Sequence, residues 1–158
     1  MKRLLVVIAI CLGTFVQAQQ EISVDLADAL VMRTFEVNYE YYLNEQSSVG
    51  LSALFNFNSE SSDLNYNEDN MFTPYFRHYF TNNRMWNYFG EVFMGINSGK
   101  RFGVSYTDGA LGVSVGAKYI SKGGLTVSAI GGLGRNMFQS TSYEIVPRVG
   151  LNVGYRFK

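Results

Sequence analysis

Apolar and polar residues alternate with a period of two along most of this 158-residue chain. The clearest case is Glu144 to Lys158, EIVPRVGLNVGYRFK. Ile145, Pro147, Val149, Leu151, Val153, Tyr155 and Phe157 fall on one side, with Arg148, Gly150, Asn152, Gly154 and Arg156 on the other. Successive side chains of a strand point to opposite faces, so such a segment separates an oily medium from a polar one. Ordinary strands run to roughly 5–6 residues, whereas a tilted strand crossing a membrane takes roughly 9–11. Length and alternation together predict a membrane-spanning β-strand.

Seven further segments follow the same rule: Ile22 to Leu26, Thr34 to Leu43, Val49 to Phe57, Met71 to Phe80, Trp86 to Asn97, Ala110 to Ile120 and Leu125 to Gly134. Two of them carry a flaw. Pro74 removes a ladder donor from the fourth and suits an edge position, and Ile130 is an apolar misfit on the polar side of the seventh. The connections alternate too. Asn44 to Ser48, Thr81 to Met85 and Ser121 to Gly124 are short and rich in Asn, Ser, Lys or Gly, as tight turns require. Asn58 to Asn70, Ser98 to Gly109 and Arg135 to Tyr143 are longer, and only Ala27 to Arg33 breaks the alternation. Short turns at one end and long loops at the other are the pattern of outer-membrane barrels, whose short turns are periplasmic. The expected fold is all-β: a closed antiparallel up-and-down transmembrane β-barrel of about eight strands.

Charge decides which face points inward. The polar faces carry Asp25, Glu36, Glu40 and Glu91 against Arg77, Lys118, Arg148 and Arg156, four of each sign. A base facing lipid costs roughly 2–4 kcal/mol at the midplane, so the inverted barrel would lose on the order of 10 kcal/mol, comparable to a domain's whole stability. These eight residues are therefore expected to form a lumenal charge network. In a barrel this narrow they, with inward Tyr75, Tyr79, Phe89 and Phe93, should make a packed plug. On the apolar face, Tyr41, Phe80, Trp86, Tyr88, Tyr119, Tyr155 and Phe157 gather near the short-turn end, and Phe35, Phe55, Phe57 and Phe72 near the other. Aromatic belts at both headgroup levels are a mark of membrane barrels.

The first residues fit export. Lys2 and Arg3 precede an apolar run from Leu4 to Val16, and Val16-Gln17-Ala18 offers a cleavage site, so 1–18 reads as a signal peptide and 19–158 as one barrel domain. Cleavage would remove Cys11, leaving neither disulfides nor thiolate chemistry, and would leave eleven basic against thirteen acidic residues, a charge of −2. Nothing there suggests a nucleic-acid partner. Sixteen Gly, 11 Tyr and 12 Phe, with a mean hydropathy near zero, suit a barrel better than spanning helices.

Candidate chemistry is sparse. His78, the only histidine, has no Ser or Thr two residues away and reads as an interfacial residue. Glu36 and Glu40 share a strand face but stand roughly 13 Å apart, too far to share a proton. In the loop Asn58 to Asn70, Asp63, Asn65, Asn67 and Asp69 have the alternate spacing of early calcium-loop ligands. The later glycine and glutamate are missing, so a solvated acidic loop is the better reading. No catalytic residue, metal or cofactor is expected.

The signal peptide, the eight alternating strands, the segment FEVNYEYYLNEQSSVGLSALF and the closing VGLNVGYRF resemble the small outer-membrane barrels of Gram-negative bacteria, the OmpA-like and OmpX-like group. The resemblance implies outer-membrane lipid and lipopolysaccharide as surroundings, a monomer, and a terminal aromatic read by the barrel-assembly machinery. Here that aromatic is Phe157, followed by Lys158. It also suggests a non-enzymatic structural or surface-interaction role through the extracellular loops, whose partner the sequence does not name. A narrow pore and a soluble lipocalin-like carrier with its apolar face turned inward are the alternatives.

Overall fold

The alternating segments become eight antiparallel strands: β1 (Gln20–Asp25), β2 (Thr34–Tyr42), β3 (Ser47–Asn56), β4 (Glu68–Tyr79), β5 (Trp86–Arg101), β6 (Val104–Ile120), β7 (Leu125–Asn136) and β8 (Ile145–Phe157). The computed structural model describes residues 19–27, 34–56, 68–81, 85–101, 104–138 and 144–157. The expected signal peptide, Phe57, Lys158 and, in the acidic loop, 58–67 lie outside them. Each strand pairs with its neighbours in the chain, and β1 pairs with β8 from Gln20↔Phe157 to Asp25↔Asn152, closing the cylinder. Closure leaves no open edge in the body of the cylinder; among the described residues only the projecting end of β6, 104–108, is paired to β5 alone.

That closure corrects the edge position expected for the fourth strand. Pro74 lies opposite Leu51 of β3, and the ladder to β5 is interrupted at Thr73 and Pro74 and resumes in the same register at Tyr75↔Phe93. A missing donor is absorbed as a local gap. The expected loop Ser98 to Gly109 is also corrected: β5 and β6 continue pairing out to Arg101↔Val104. Residues such as Ser98, Gly99, Thr107 and Asp108 show no apolar face because that part of the hairpin has no oily surface to meet. The backbone ladder extends it, with the Asp108 carboxylate accepting the Gly109 and Phe138 N–H groups at 2.7 and 2.9 Å. Likewise Glu68–Asn70, read as loop, open β4, and Arg135 and Asn136 close β7, where Arg135 pairs with Glu144 at 2.6 Å. β1 starts two residues earlier than expected and ends at Asp25, so Leu26 leaves the sheet. Leu151, which Leu26 would face, gives its N–H to the Asp25 carboxylate at 3.2 Å.

Two of the short connections, Asn44 to Ser48 and Ser121 to Gly124, are tight turns. Leu43 N–H and Asn44 N–H both reach Ser47 O, at 2.9 and 3.2 Å, and Asn44 Oδ1 accepts the Gln46 N–H. Between β6 and β7, Gly124 N–H donates to Ser121 O at 3.1 Å, with φ of +92° at Gly124. A Cβ there would meet Arg156 O at 2.7 Å. Gly124→Ala is expected to lower the unfolding free energy by about 1–2 kcal/mol, through the left-handed backbone and this contact, read as a lower midpoint in urea.

Inside, rings and glycines are matched across strands. Phe93 lies opposite Gly112, Phe89 opposite Gly116, and Tyr75 opposite Gly50. A Cβ on any of the three glycines would overlap the facing ring. The missing side chains are thus the room into which the rings fold. Leu54, Met71, Tyr75, Phe93, Ala110 and Val146 form one buried apolar cluster, and Tyr42, Tyr79, Phe89 and Ile130 a second. Ile130, the misfit of the seventh segment, is part of the lumenal packing.

Candidate functional site

Glu21, Glu36, Glu40, Arg77, Glu91, Lys118, Arg148 and Arg156 occupy inward positions of β1, β2, β4, β5, β6 and β8. They form a single alternating chain of ion pairs. From the short-turn end it runs Arg156 to Glu21 (3.6 Å), Glu21 to Lys118 (2.8 Å), Lys118 to Glu40 (2.7 Å) and Glu40 to Arg77 (2.8 Å). It continues from Arg77 to Glu91 (2.7 Å), Glu91 to Arg148 (2.7 Å) and Arg148 to Glu36 (3.7 Å). Every cation sits between two anions except Arg156, and every anion between two cations except Glu36. The chain is closest in its middle and loosest at its two ends.

Neutral groups complete the coordination. Ser48 Oγ and Tyr79 OH each donate to Glu40 Oε1 at 2.6 Å, Ser114 Oγ to Glu91 Oε1 at 3.2 Å, and Tyr42 OH to Glu21 Oε2 at 3.0 Å. Rings cover the cations: the Arg77 guanidinium lies 4.2 Å from the Phe89 centroid and 4.6 Å from that of Tyr75, and Arg156 lies 3.8 Å from Tyr42. Lys118 is 0% exposed and also donates to Tyr42 OH at 3.0 Å. Charges taken this far from water persist only when paired and hydrogen-bonded, which the arrangement provides. Inward of the short-turn mouth the lumen is packed with this chain and its rings.

The eight residues named from sequence all point inward, but the chain includes a carboxylate that sequence reading missed. Glu21 lay before the expected start of the first strand. Continuing the alternation of Ser23 and Asp25 back by one step would have found it. Asp25 is buried in the lumen and accepts the Leu151 N–H. The named aromatics point outward around the short-turn end: Phe80, Trp86, Tyr88, Tyr155 and Phe157 are exposed, while Tyr41 and Tyr119 are half-buried. Trp86 packs on Tyr119 with ring centroids 5.4 Å apart, and Tyr155 on Phe157 at 5.2 Å. At the far end Phe55 and Phe72 meet edge to face at 6.2 Å.

His78 acquires a neighbour that the linear sequence hides. Register places Ser47 opposite it, and Ser47 Oγ is 3.3 Å from His78 Nδ1, with Phe80 against the ring at 5.8 Å. A nucleophilic serine needs a base that is itself oriented by a third group. Among the described residues no carboxylate pairs with His78. The same described residues hold no cluster of His, Cys, Asp and Glu able to bind a metal ion.

Outside, Val92, Met94, Ile96, Val113, Val115, Leu133 and Val149 stand more than half exposed, with Val115 at 68%. An apolar exterior around a charged, filled lumen in a closed eight-stranded cylinder defines the small barrel of the outer-membrane type. No family model and no curated protein matches the chain. Solved structures are similar in fold. The N-terminal β-barrel domain of Pseudomonas aeruginosa OprF aligns with a TM-score of 0.64 and 12% identity, over 89% of this chain and 96% of that one. Neisserial surface protein A, NspA, aligns with a TM-score of 0.52 and 14% identity, over 88% and 94%.

Proposed function

We propose that this chain is a non-enzymatic integral outer-membrane barrel whose plugged wall is a structural element of the membrane and whose long loops meet the cell surface. The observation that carries this reading is the inverted polarity: the apolar face is outside and the paired charges are inside. A carrier of the lipocalin kind needs the opposite arrangement, with its apolar residues around a ligand. A pore needs a wet path, whereas Glu40, Arg77, Glu91 and Lys118 are buried in contact with one another. In this reading the apolar belt contacts lipid and lipopolysaccharide, the assembly machinery reads Phe157 during insertion, and the barrel works as a monomer.

Trp86 is the only tryptophan and lies outward near the short-turn end, so it reports the membrane directly. In vesicles, bromines near the headgroup are expected to quench it more strongly than bromines at the acyl-chain ends, and aqueous acrylamide only weakly. The outer-membrane fraction should contain the protein, with a gel mobility that shifts on boiling, and planar bilayers should show no steady conductance. Recovery as a soluble periplasmic protein, with Trp86 open to acrylamide, would sink the membrane reading.

A further inference from the structure

The chain of ion pairs ends unevenly at the short-turn mouth, and a cavity lies there. Among the described residues Arg156, its last cation, has a single carboxylate neighbour, Glu21, whose Oε2 is 3.6 Å from Nε. Lys118 and Tyr42 OH hold Glu21 more closely, at 2.8 and 3.0 Å. The Arg156 Nε is buried and makes no hydrogen bond, while Nη1 donates to Gln19 Oε1 at 3.2 Å. The guanidinium plane is fixed by the Tyr42 ring, 3.8 Å away. Beside it opens a cavity of about 430 Å³ lined by Tyr42, Tyr79, Asn87 and Arg156, with Lys122 and Glu45 on its rim. A guanidinium carries five donors in a fork that matches carboxylate and phosphate oxygens, and this one meets Glu21 only at 3.6 Å.

We propose that this mouth, which opens to the periplasm in the topology above, binds the carboxylate or phosphate group of a small soluble molecule. Arg156 would take the anion, Lys122 would add a second positive charge from the β6–β7 turn, and the Tyr42 and Tyr79 rings, whose hydroxyls are already committed to Glu21 and Glu40, would form a wall against the body of the ligand. The cavity exceeds the volume of a bare ion, so the ligand has a body beyond its charged group. Because the lining faces the lumen and not the outer wall, a dissolved molecule fits it better than a bilayer lipid.

The test is titration of the folded barrel in micelles with inorganic phosphate and, separately, with N-acetyl-alanine, at ionic strength held constant with sodium chloride. The Arg156 Nε–Hε resonance is followed by NMR. A saturable shift is expected with at least one of the two probes, and the tighter one assigns the group. Lys122→Gln should weaken binding about fivefold, the factor one unit charge near 4 Å contributes in water, and Glu45→Gln should tighten it by a similar factor. Both side chains are at the exposed rim, so the fold is preserved in each variant, and an unchanged mobility shift on boiling confirms it. Opposite signs from the two variants place the anion between them. Absence of a saturable shift with both probes, or an affinity within twofold of wild type in either variant, overturns the proposal.

Discussion

Replacing Lys118 by methionine is expected to lower the unfolding free energy of the barrel by about 3–5 kcal/mol, the usual loss when one partner of a buried ion pair is removed. The mechanism is not the loss of a favourable bond but the stranding of two carboxylates. Lys118 Nζ is 2.8 Å from Glu21 and 2.7 Å from Glu40, and without it each of these buried carboxylates is left with one cation instead of two, Arg77 for Glu40 and Arg156, at 3.6 Å, for Glu21. A typical protein has a total stability of about 5–15 kcal/mol, so the variant should fold poorly or unfold at much lower urea. Urea titration of the barrel refolded into phospholipid vesicles, followed by Trp86 fluorescence and by mobility with and without boiling, measures the effect. Glu21→Gln in the same background should recover part of the loss, because the two sites act as one. Additivity of the two changes within about 0.5 kcal/mol would mean that the ion-pair chain carries no coupling.

The second large effect is expected from Gly112→Val, which puts a branched side chain where the Phe93 ring already lies. A Cβ at this position would overlap that ring and would stand 2.6 Å from the Gly134 Cα across the next strand. Overpacking costs typically about 1–3 kcal/mol, and a fixed backbone neighbour puts this site at the upper end. Phe93→Leu should relieve most of the cost in the double variant. Gly131→Ala is the control, because nothing stands within 4 Å of its added Cβ, and its stability should change little. An equal loss at both glycines would show that strand propensity, not the ring, sets the requirement.

How much of this was legible in the chain follows from what alternation reports. Wherever a strand passes between an apolar and a polar medium, as from Thr34 to Tyr42 or Ile145 to Phe157, the period of two marks it and assigns the inward face. Strand ends beyond that boundary carry no such mark. For this reason β5 and β6 from Ser98 to Asp108 read as loop although they pair residue by residue. Inward residues were recognisable as a set, yet their partners were not. That Lys118 bridges Glu21 and Glu40 depends on strand order, register and tilt, which bring together residues 97 and 78 positions apart. The Ser47 beside His78 was hidden for the same reason, since register and not sequence proximity makes them neighbours. The ring-to-glycine matches were half visible: the glycines and aromatics were there to count, but not the pairing of each ring with its own gap.

The seam between β1 and β8 is only six residue pairs long, and it decides whether the lumenal chain can exist at all. A slip of one residue there would turn Glu21, Ser23 and Asp25 to the outside and bring Ile22 and Val24 into the interior. Arg156 and Lys118 would then lose Glu21 together. A barrel closed in the wrong register would therefore fail electrostatically, not merely in its packing, so the charges discriminate between alignments that strand pairing alone would tolerate. The first strand, the shortest of the eight, is the one whose alignment they inspect.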